Sequence, residues 1–400
     1  MKISKNVFVL SLVLGFISCS KSVKEPNVCF GVECKKQSKN IEEFIPVYAE
    51  QVKKYNIIAA KLWPNNSMIN KISIVTNMDK TKAWKVGFDG TFKTIDIKEL
   101  KKYPDVIGYD TEFHPFENVD GESGIVLVIN EKALIDINHF KKYPYLGTYD
   151  LFITYAHEGF HIFEQPSWAI DQNAINNQDR INNFENINAR KVRMSIANQL
   201  LNAFKFPNER DKYILKALAT YDYYANNFKE EYRKIDYFEK IEGTACYFEI
   251  VSCLQVSYDG INSKDDVNKA YQALSHKINI TDYIGAGSET YIIGGISGLL
   301  LDWISEDPDQ WKKAIMKNGN LSPIKILREK YKTRIKPKDF VIKLDTDLDE
   351  KVNGILKEHA KAKAKLSPKS LETIEKIKKE MKEKLSPKEY REFLENIEGN

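Results

Sequence analysis

Leu151-Phe152-Ile153-Thr154-Tyr155-Ala156-His157-Glu158-Gly159-Phe160-His161-Ile162-Phe163 is the stretch on which the reading of this chain turns. It is apolar nearly all round, the pattern of a helix buried on every side. Within it His157-Glu158-Gly159-Phe160-His161 has the form HExxH. On a helix, residues four apart share a face one turn apart, so two imidazoles can meet one Zn²⁺. Glu158 then lies beside the metal rather than on it, placed to take a proton from water. Such a match is improbable by chance in a chain with six histidines.

Two histidines do not complete a catalytic zinc site, which needs three protein ligands and an open position. His276 lies in a polar Ser-His-Lys stretch and His359 in a Lys-rich one, so neither has a supporting pattern. Glu164 follows His161 by three on the same helix, whereas a third ligand normally arrives from another element, and Glu185 has no distinguishing context. Glu242 stands out because it opens Glu242-Gly243-Thr244-Ala245-Cys246-Tyr247-Phe248-Glu249 in an otherwise apolar helical stretch. A carboxylate buried there must be paired or must bind metal.

HEGFH together with the later EGTACYFE resembles the gluzincin metallopeptidases, whose second zinc-site helix often reads E-G-x-A-x-Y-x-E. Glu242, Gly243, Ala245, Tyr247 and Glu249 match that pattern at every marked position. The resemblance implies His157, His161 and Glu242 as zinc ligands and Glu158 as general base. It covers residues 150–260 or so. The exopeptidase motif GAMEN is missing upstream of HEGFH, and Gly285-Ala286-Gly287-Ser288-Glu289 lies on the wrong side to replace it. The zinc site therefore carries over, and aminopeptidase activity does not. Helices expected at 184–232 would lie between the two ligand helices. The clan often uses a Tyr or His after the third ligand to stabilise the oxyanion; Tyr283 and Tyr291 are the downstream choices, and Tyr291 is preferred because it opens the glycine-containing run Tyr291–Trp303. Glu249, seven after Glu242 on the same face, either orients a ligand histidine or forms an exposed salt bridge.

Upstream, Phe44, Val47, Tyr48, Val52, Tyr55 and Ile58 recur at helical spacing over 41–62. Strands are expected at Lys71–Thr76, Ala83–Phe88 and Phe92–Ile97, with Asp89-Gly90 as a turn, and most clearly at Gly124–Asn130. In folds of this kind an edge strand binds extended peptide through main-chain hydrogen bonds, and 124–130 is the candidate. Downstream, helical patterns continue at 184–204, 209–232, 235–256 and 288–304.

At the amino end Lys2 and Lys5 precede an apolar run, Val7 to Ile17, of signal-peptide rather than membrane-spanning length. Phe16-Ile17-Ser18-Cys19 resembles a bacterial lipobox, which implies diacylation of Cys19 and a stable anchor. Cys29 and Cys34 could close a small disulfide outside the cytoplasm. Cys246 and Cys253 lie two helical turns apart, about 10 Å, too far for a bridge. A net charge of +4 over 400 residues gives no sign of nucleic-acid binding, and 42% hydrophobic residues suffice for a packed core. Beyond Leu356 the chain turns basic, with helix starts at Ser367-Pro368 and Ser386-Pro387, the latter boxed by Glu389.

The expected organisation is a signal peptide (1–18), a tether (19–40), an α/β part (41–150), a helical zinc-binding part (151–335) and a basic helical tail (336–400). The fold class is α+β, zincin-like, with a small sheet packed on the HEGFH helix and a mostly helical second half. The function expected is a Zn²⁺-dependent hydrolase, foremost a metallopeptidase acting on peptide or protein substrates in the cell envelope or at the cell surface. A zincin-like binding lipoprotein without catalysis and a hydrolase of a non-peptide amide are the other readings. The intact Glu158 speaks against the first of these, because a purely structural site has no use for a base.

Overall fold

The structure is a computed structural model that describes residues 40–104, 112–129, 151–177, 186–257, 263–336 and 346–365, with a few positions between 375 and 382. The amino-terminal segment with Cys19, Cys29 and Cys34 lies outside the described residues, as do Glu185 and the helix starts at Ser367 and Ser386. The order of elements is mixed α/β first and helical afterwards. Helix α1 (Ile41–Leu62) begins at Asn40, whose side chain accepts a hydrogen bond from the Glu43 amide. It is followed by β1 (Ile72–Asn77), β2 (Ala83–Val86), β3 (Phe92–Ile95), the single turn α2 (Ile97–Leu100), β4 (Glu112–Val119) and β5 (Glu122–Ile129).

These strands form one mixed sheet in the order β3-β2-β1-β5-β4. Only β1 and β5 are parallel, with Ile74 opposite Val126; the other pairs are antiparallel. Strand β1 is buried at all six positions, as a central strand covered on both faces must be. In β5, Ile125, Leu127 and Ile129 enter the main core, while Val126 and Val128 join a smaller cluster on the other face with Ile72, Ile74 and Phe116. The Asp89-Gly90 turn forms as expected, with Gly90 at φ +84°.

The sequence expectation of 124–130 as an edge strand is overturned, because β5 is paired on both sides and β4 is the outer strand. Pro115 hid β4 from sequence reading, since proline is depleted in strands and tolerated at a sheet edge, where its missing N–H costs no ladder bond.

The helical half comprises α3 (Leu151–Gly159), α4 (Gln172–Asn177), α5 (Ile187–Lys205), α6 (Arg210–Asn227), α7 (Lys229–Ser257), α8 (Lys264–Ser275), α9 (Ala286–Ile304), α10 (Asp309–Lys317), α11 (Pro323–Tyr331) and α12 (Thr346–Lys365). One hydrophobic core runs from Ile41 in α1 through β5, α3, α7 and α9 to Leu356 in α12. Its centre is aromatic: Trp63 stacks on Trp168 at 5.5 Å and meets Phe160 edge-on at 5.0 Å, and Phe160 stacks on Phe248 at 4.3 Å. Burying such rings contributes about 1.5–3 kcal/mol each. The contact of Phe160, just past the end of α3, with Phe248 joins α3 directly to α7, so α5 and α6 fold as a hairpin to the side and do not separate α3 from α7 in space. Helix α12 sends Leu348, Val352 and Leu356 into the core, so the packed body reaches further into the Lys-rich tail than composition alone indicates.

Candidate metal centre

Helix α3 does not stay α-helical to its end. Phe160–Glu164 forms a π-helical turn and Gln165–Ser167 a 3-10 turn, a local widening that recurs at functional sites. His157 lies in the α-helical part and His161 in the π turn, with ring centroids 4.8 Å apart. From α7 the Glu242 carboxylate reaches both. Nε2 of His161 is 3.1 Å from Nε2 of His157 and 3.1 Å from Oε2 of Glu242, and His157 Nε2 is 3.4 Å from the same oxygen. The ligand atoms of His157, His161 and Glu242 form a group that could hold a metal ion. Zinc–nitrogen and zinc–oxygen bonds of about 2.0–2.2 Å in a tetrahedron give ligand–ligand edges of about 3.3–3.5 Å. The observed triangle is close to that size, so the donor set fits.

The far nitrogens of both rings are held. His157 Nδ1–H donates to Oε2 of Glu249 at 2.9 Å. His161 Nδ1–H donates to Oε1 of Gln165 at 2.6 Å, and the Gln165 amide nitrogen donates to the Ile241 carbonyl at 2.8 Å, which fixes the way that amide faces. With Nδ1 of each ring committed to these acceptors, both Nε2 atoms turn toward each other and toward Glu242, where either a proton or a metal ion can sit between them. That arrangement is repulsive without a shared positive charge, and it is the arrangement metal-binding histidines adopt. Charge at the site leads to the same demand. Burial would lower the His157 pKa, but hydrogen bonds to Glu242 and Glu249 and the charge of Glu158 hold it well above the ordinary imidazole value. Burial would raise the Glu242 pKa, yet the two histidines hold it well below the ordinary carboxylate range. Burial raises the pKa of Glu158.

Glu158 is half-buried next to these groups and makes no hydrogen bond or ion pair among the described residues. The Tyr291 ring stacks on His157, centroids 5.5 Å apart and planes within 12°. Glu249 is buried behind His157, so the second of its two sequence readings, an exposed salt bridge, does not apply. Glu164 is buried but accepts from the Ser67 amide at 2.9 Å and stands outside the donor group. His276 and His359 are exposed on the surface. Cys246 and Cys253 are buried and form no disulfide, in keeping with their helical spacing.

Sequence reasoning missed what positions α7 and α9. Arg193 on α5, fully buried, pairs with Glu239 of α7 at 2.8 Å and with Glu289 of α9 at 3.0 Å. Arg190, equally buried, pairs with Glu231 of α7 and with Glu289 at 3.3 Å. Glu239 lies three residues before Glu242, and Glu289 two before Tyr291, so the arginines tie down the two helices that complete the site. Arg190 and Arg193 lie three apart on one helix face, but the mixed polar make-up of 187–205 gave no sign that they would be buried. Gln165, four after His161, carried no signal beyond that spacing.

Helices α7 and α9 approach at glycines. A Cβ on Gly294 would lie 2.3 Å from Gly243 Cα, and one on Gly298 would lie 2.6 Å from the Tyr247 ring. The Gly-Gly-x-x-Gly run thus brings the Tyr291 helix against the Glu242 helix backbone to backbone.

Compared with known proteins, the chain matches no family model, no curated protein and no solved structure.

Proposed function

We propose that this chain is a zinc-dependent hydrolase of gluzincin type, a lipid-anchored metallopeptidase of the cell envelope. The observation that carries the reading is the meeting of Nε2 of His157, Nε2 of His161 and Oε2 of Glu242 within one coordination triangle, beside an uncommitted Glu158. The α+β architecture supports a zincin-like fold: the small mixed sheet leads through β5 to the HEGFH helix, and a second helix delivers the third ligand. Zinc in such a donor set supplies Lewis acidity, acidifying water and polarising a substrate carbonyl.

The remaining chemistry belongs to the protein. Glu249 and Gln165 keep Nδ1 of each histidine protonated and both Nε2 atoms available as donors. Glu158 takes the proton of the attacking water on its carboxylate and passes it to the leaving amine nitrogen. Tyr291 holds the plane of the His157 ring by stacking and brings a phenol to the site, a hydrogen-bond donor suited to a developing oxyanion. Placing the enzyme outside the cytoplasm rests on the lipobox-like Phe16-Ile17-Ser18-Cys19.

Activity on a broad peptide library tests the proposal. Wild type should cleave a subset of peptides, and Glu158→Gln, equal in size but without basicity, should lower turnover about 10²–10⁴-fold. A wild-type protein loaded with zinc that cleaves no peptide contradicts the peptidase reading, and an unchanged rate in Glu158→Gln contradicts the role of the base.

A further inference from the structure

A cavity lies against the face of α7 that points away from Glu242. It has a volume of about 310 Å³ and is lined from α7 by Tyr247, Val251 and Gln255, from α8 by Val267 and Tyr271, and from α10 by Lys312. At about 100° per residue, Tyr247, Val251 and Gln255 occupy the face of α7 opposite Glu242 and Glu249. The cavity is therefore separate from the metal centre, with the thickness of a helix between them.

Two buried lysines on the described chain invite comparison. Lys240 and Lys312 are each 3% exposed. Lys240 directs all three ammonium hydrogens to carbonyls, those of Ala169 at 2.8 Å, Ile315 at 2.7 Å and Asn318 at 2.8 Å, and is thereby satisfied. Lys312 donates to one carbonyl, Leu62 O at 2.9 Å, and otherwise faces the rings of Trp63 and Tyr247, 6.0 and 5.7 Å from their centroids. No carboxylate among the described residues pairs with it. Asp302, also at the cavity, is occupied by the Tyr247 hydroxyl at 2.5 Å and the Trp311 indole N–H at 2.9 Å, and Asp309 pairs with Lys313 at 3.9 Å. An ammonium taken from water needs compensation, and Lys312 is one of the residues that line the cavity.

We propose that this cavity binds a small organic carboxylate, its head group paired with Lys312 and its apolar body packed between Tyr271, Val251 and Val267. The volume is at the lower end of small-molecule pockets, whose usual make-up is an apolar lining with few polar anchors. A single negative charge suits the site better than a phosphate dianion, because Asp302 and Asp309 at its wall repel a second charge. Lys61 and Lys264 stand at the same wall and favour the approach of an anion.

The test is calorimetric titration of the full zinc-loaded chain with 3-phenylpropionate and, separately, with its uncharged amide. The carboxylate should bind saturably at one site, and the amide at least tenfold more weakly. Lys312→Met, which keeps the apolar stem, should weaken the carboxylate at least tenfold. Val267→Trp, which fills the cavity and leaves the lysine in place, should do the same and guards against a folding defect in the first variant, with circular dichroism melting as the check. Equal binding of carboxylate and amide, or wild-type affinity in both variants, overturns the proposal. Carboxylate binding that is lost on chelating the metal and kept in both variants belongs to the zinc centre and overturns it equally, while leaving the zinc reading intact.

Discussion

At the residue scale the site is decided by which nitrogen of each imidazole carries a proton. Glu249 and Gln165 each accept from a Nδ1–H, so each ring offers Nε2 to the metal position. Partners of this kind typically account for 10–100-fold in metal affinity. Glu249→Ala should therefore weaken zinc binding by about that factor, measured by competition with a chromogenic chelator, and Gln165→Ala should do so less, because a neutral amide is the weaker acceptor. Unchanged affinity in Glu249→Ala would remove the role assigned to its carboxylate. The meeting of His157 and His161 was legible in the sequence because i, i+4 spacing on a helix is a geometric rule, and Glu242 stood out because a carboxylate in an apolar run must be compensated. Gln165 was not legible, since its contact depends on the π turn of Phe160–Glu164 and on the Ile241 carbonyl, neither of which has a sequence signature.

At the scale of elements, the contact between α7 and α9 sets the distance between Glu242 and Tyr291. Gly294 and Gly243 meet backbone to backbone, whereas a Cβ added to Gly287, in the first turn of α9, would meet no atom within 4 Å. Gly294→Ala should lower stability by about 1–3 kcal/mol or more through overpacking and should weaken zinc binding as α9 is pushed away. Gly287→Ala should leave stability equal or raise it by about 0.5–1 kcal/mol. Thermal melts of the two variants check this, and equal melting temperatures for Gly294→Ala and wild type would contradict the close approach. The glycine run was readable as a close-packing signal. Strands 72–77, 83–86, 92–95 and 122–129 and helices 187–205 and 286–304 were readable from periodicity, but the order of strands was not. Strand order depends on pairing between distant segments, and the proline-bearing β4 that covers β5 gave no strand pattern to pair with.

At the scale of the whole molecule, a single core joins the sheet, the ligand helices and the first part of the basic tail, and the buried arginines of α5 hold the site from behind. The proposed place of work, outside the cytoplasm, rests on the anchor expected at Cys19. Cys19→Ser should move the protein from the membrane fraction to the soluble fraction and abolish incorporation of labelled fatty acid; retention of both would contradict the lipobox reading. The central claim is that His157, His161 and Glu242 hold one zinc and Glu158 does not. Metal content per chain, determined by elemental analysis of wild type, His157→Ala, Glu242→Gln and Glu158→Gln purified side by side without chelators, tests it most directly. About one zinc per chain is expected in wild type and in Glu158→Gln, little or none in His157→Ala, and a loss in Glu242→Gln that high zinc partly restores. Zinc absent from wild type even after reconstitution, or zinc lost in Glu158→Gln and kept in Glu242→Gln, would contradict it.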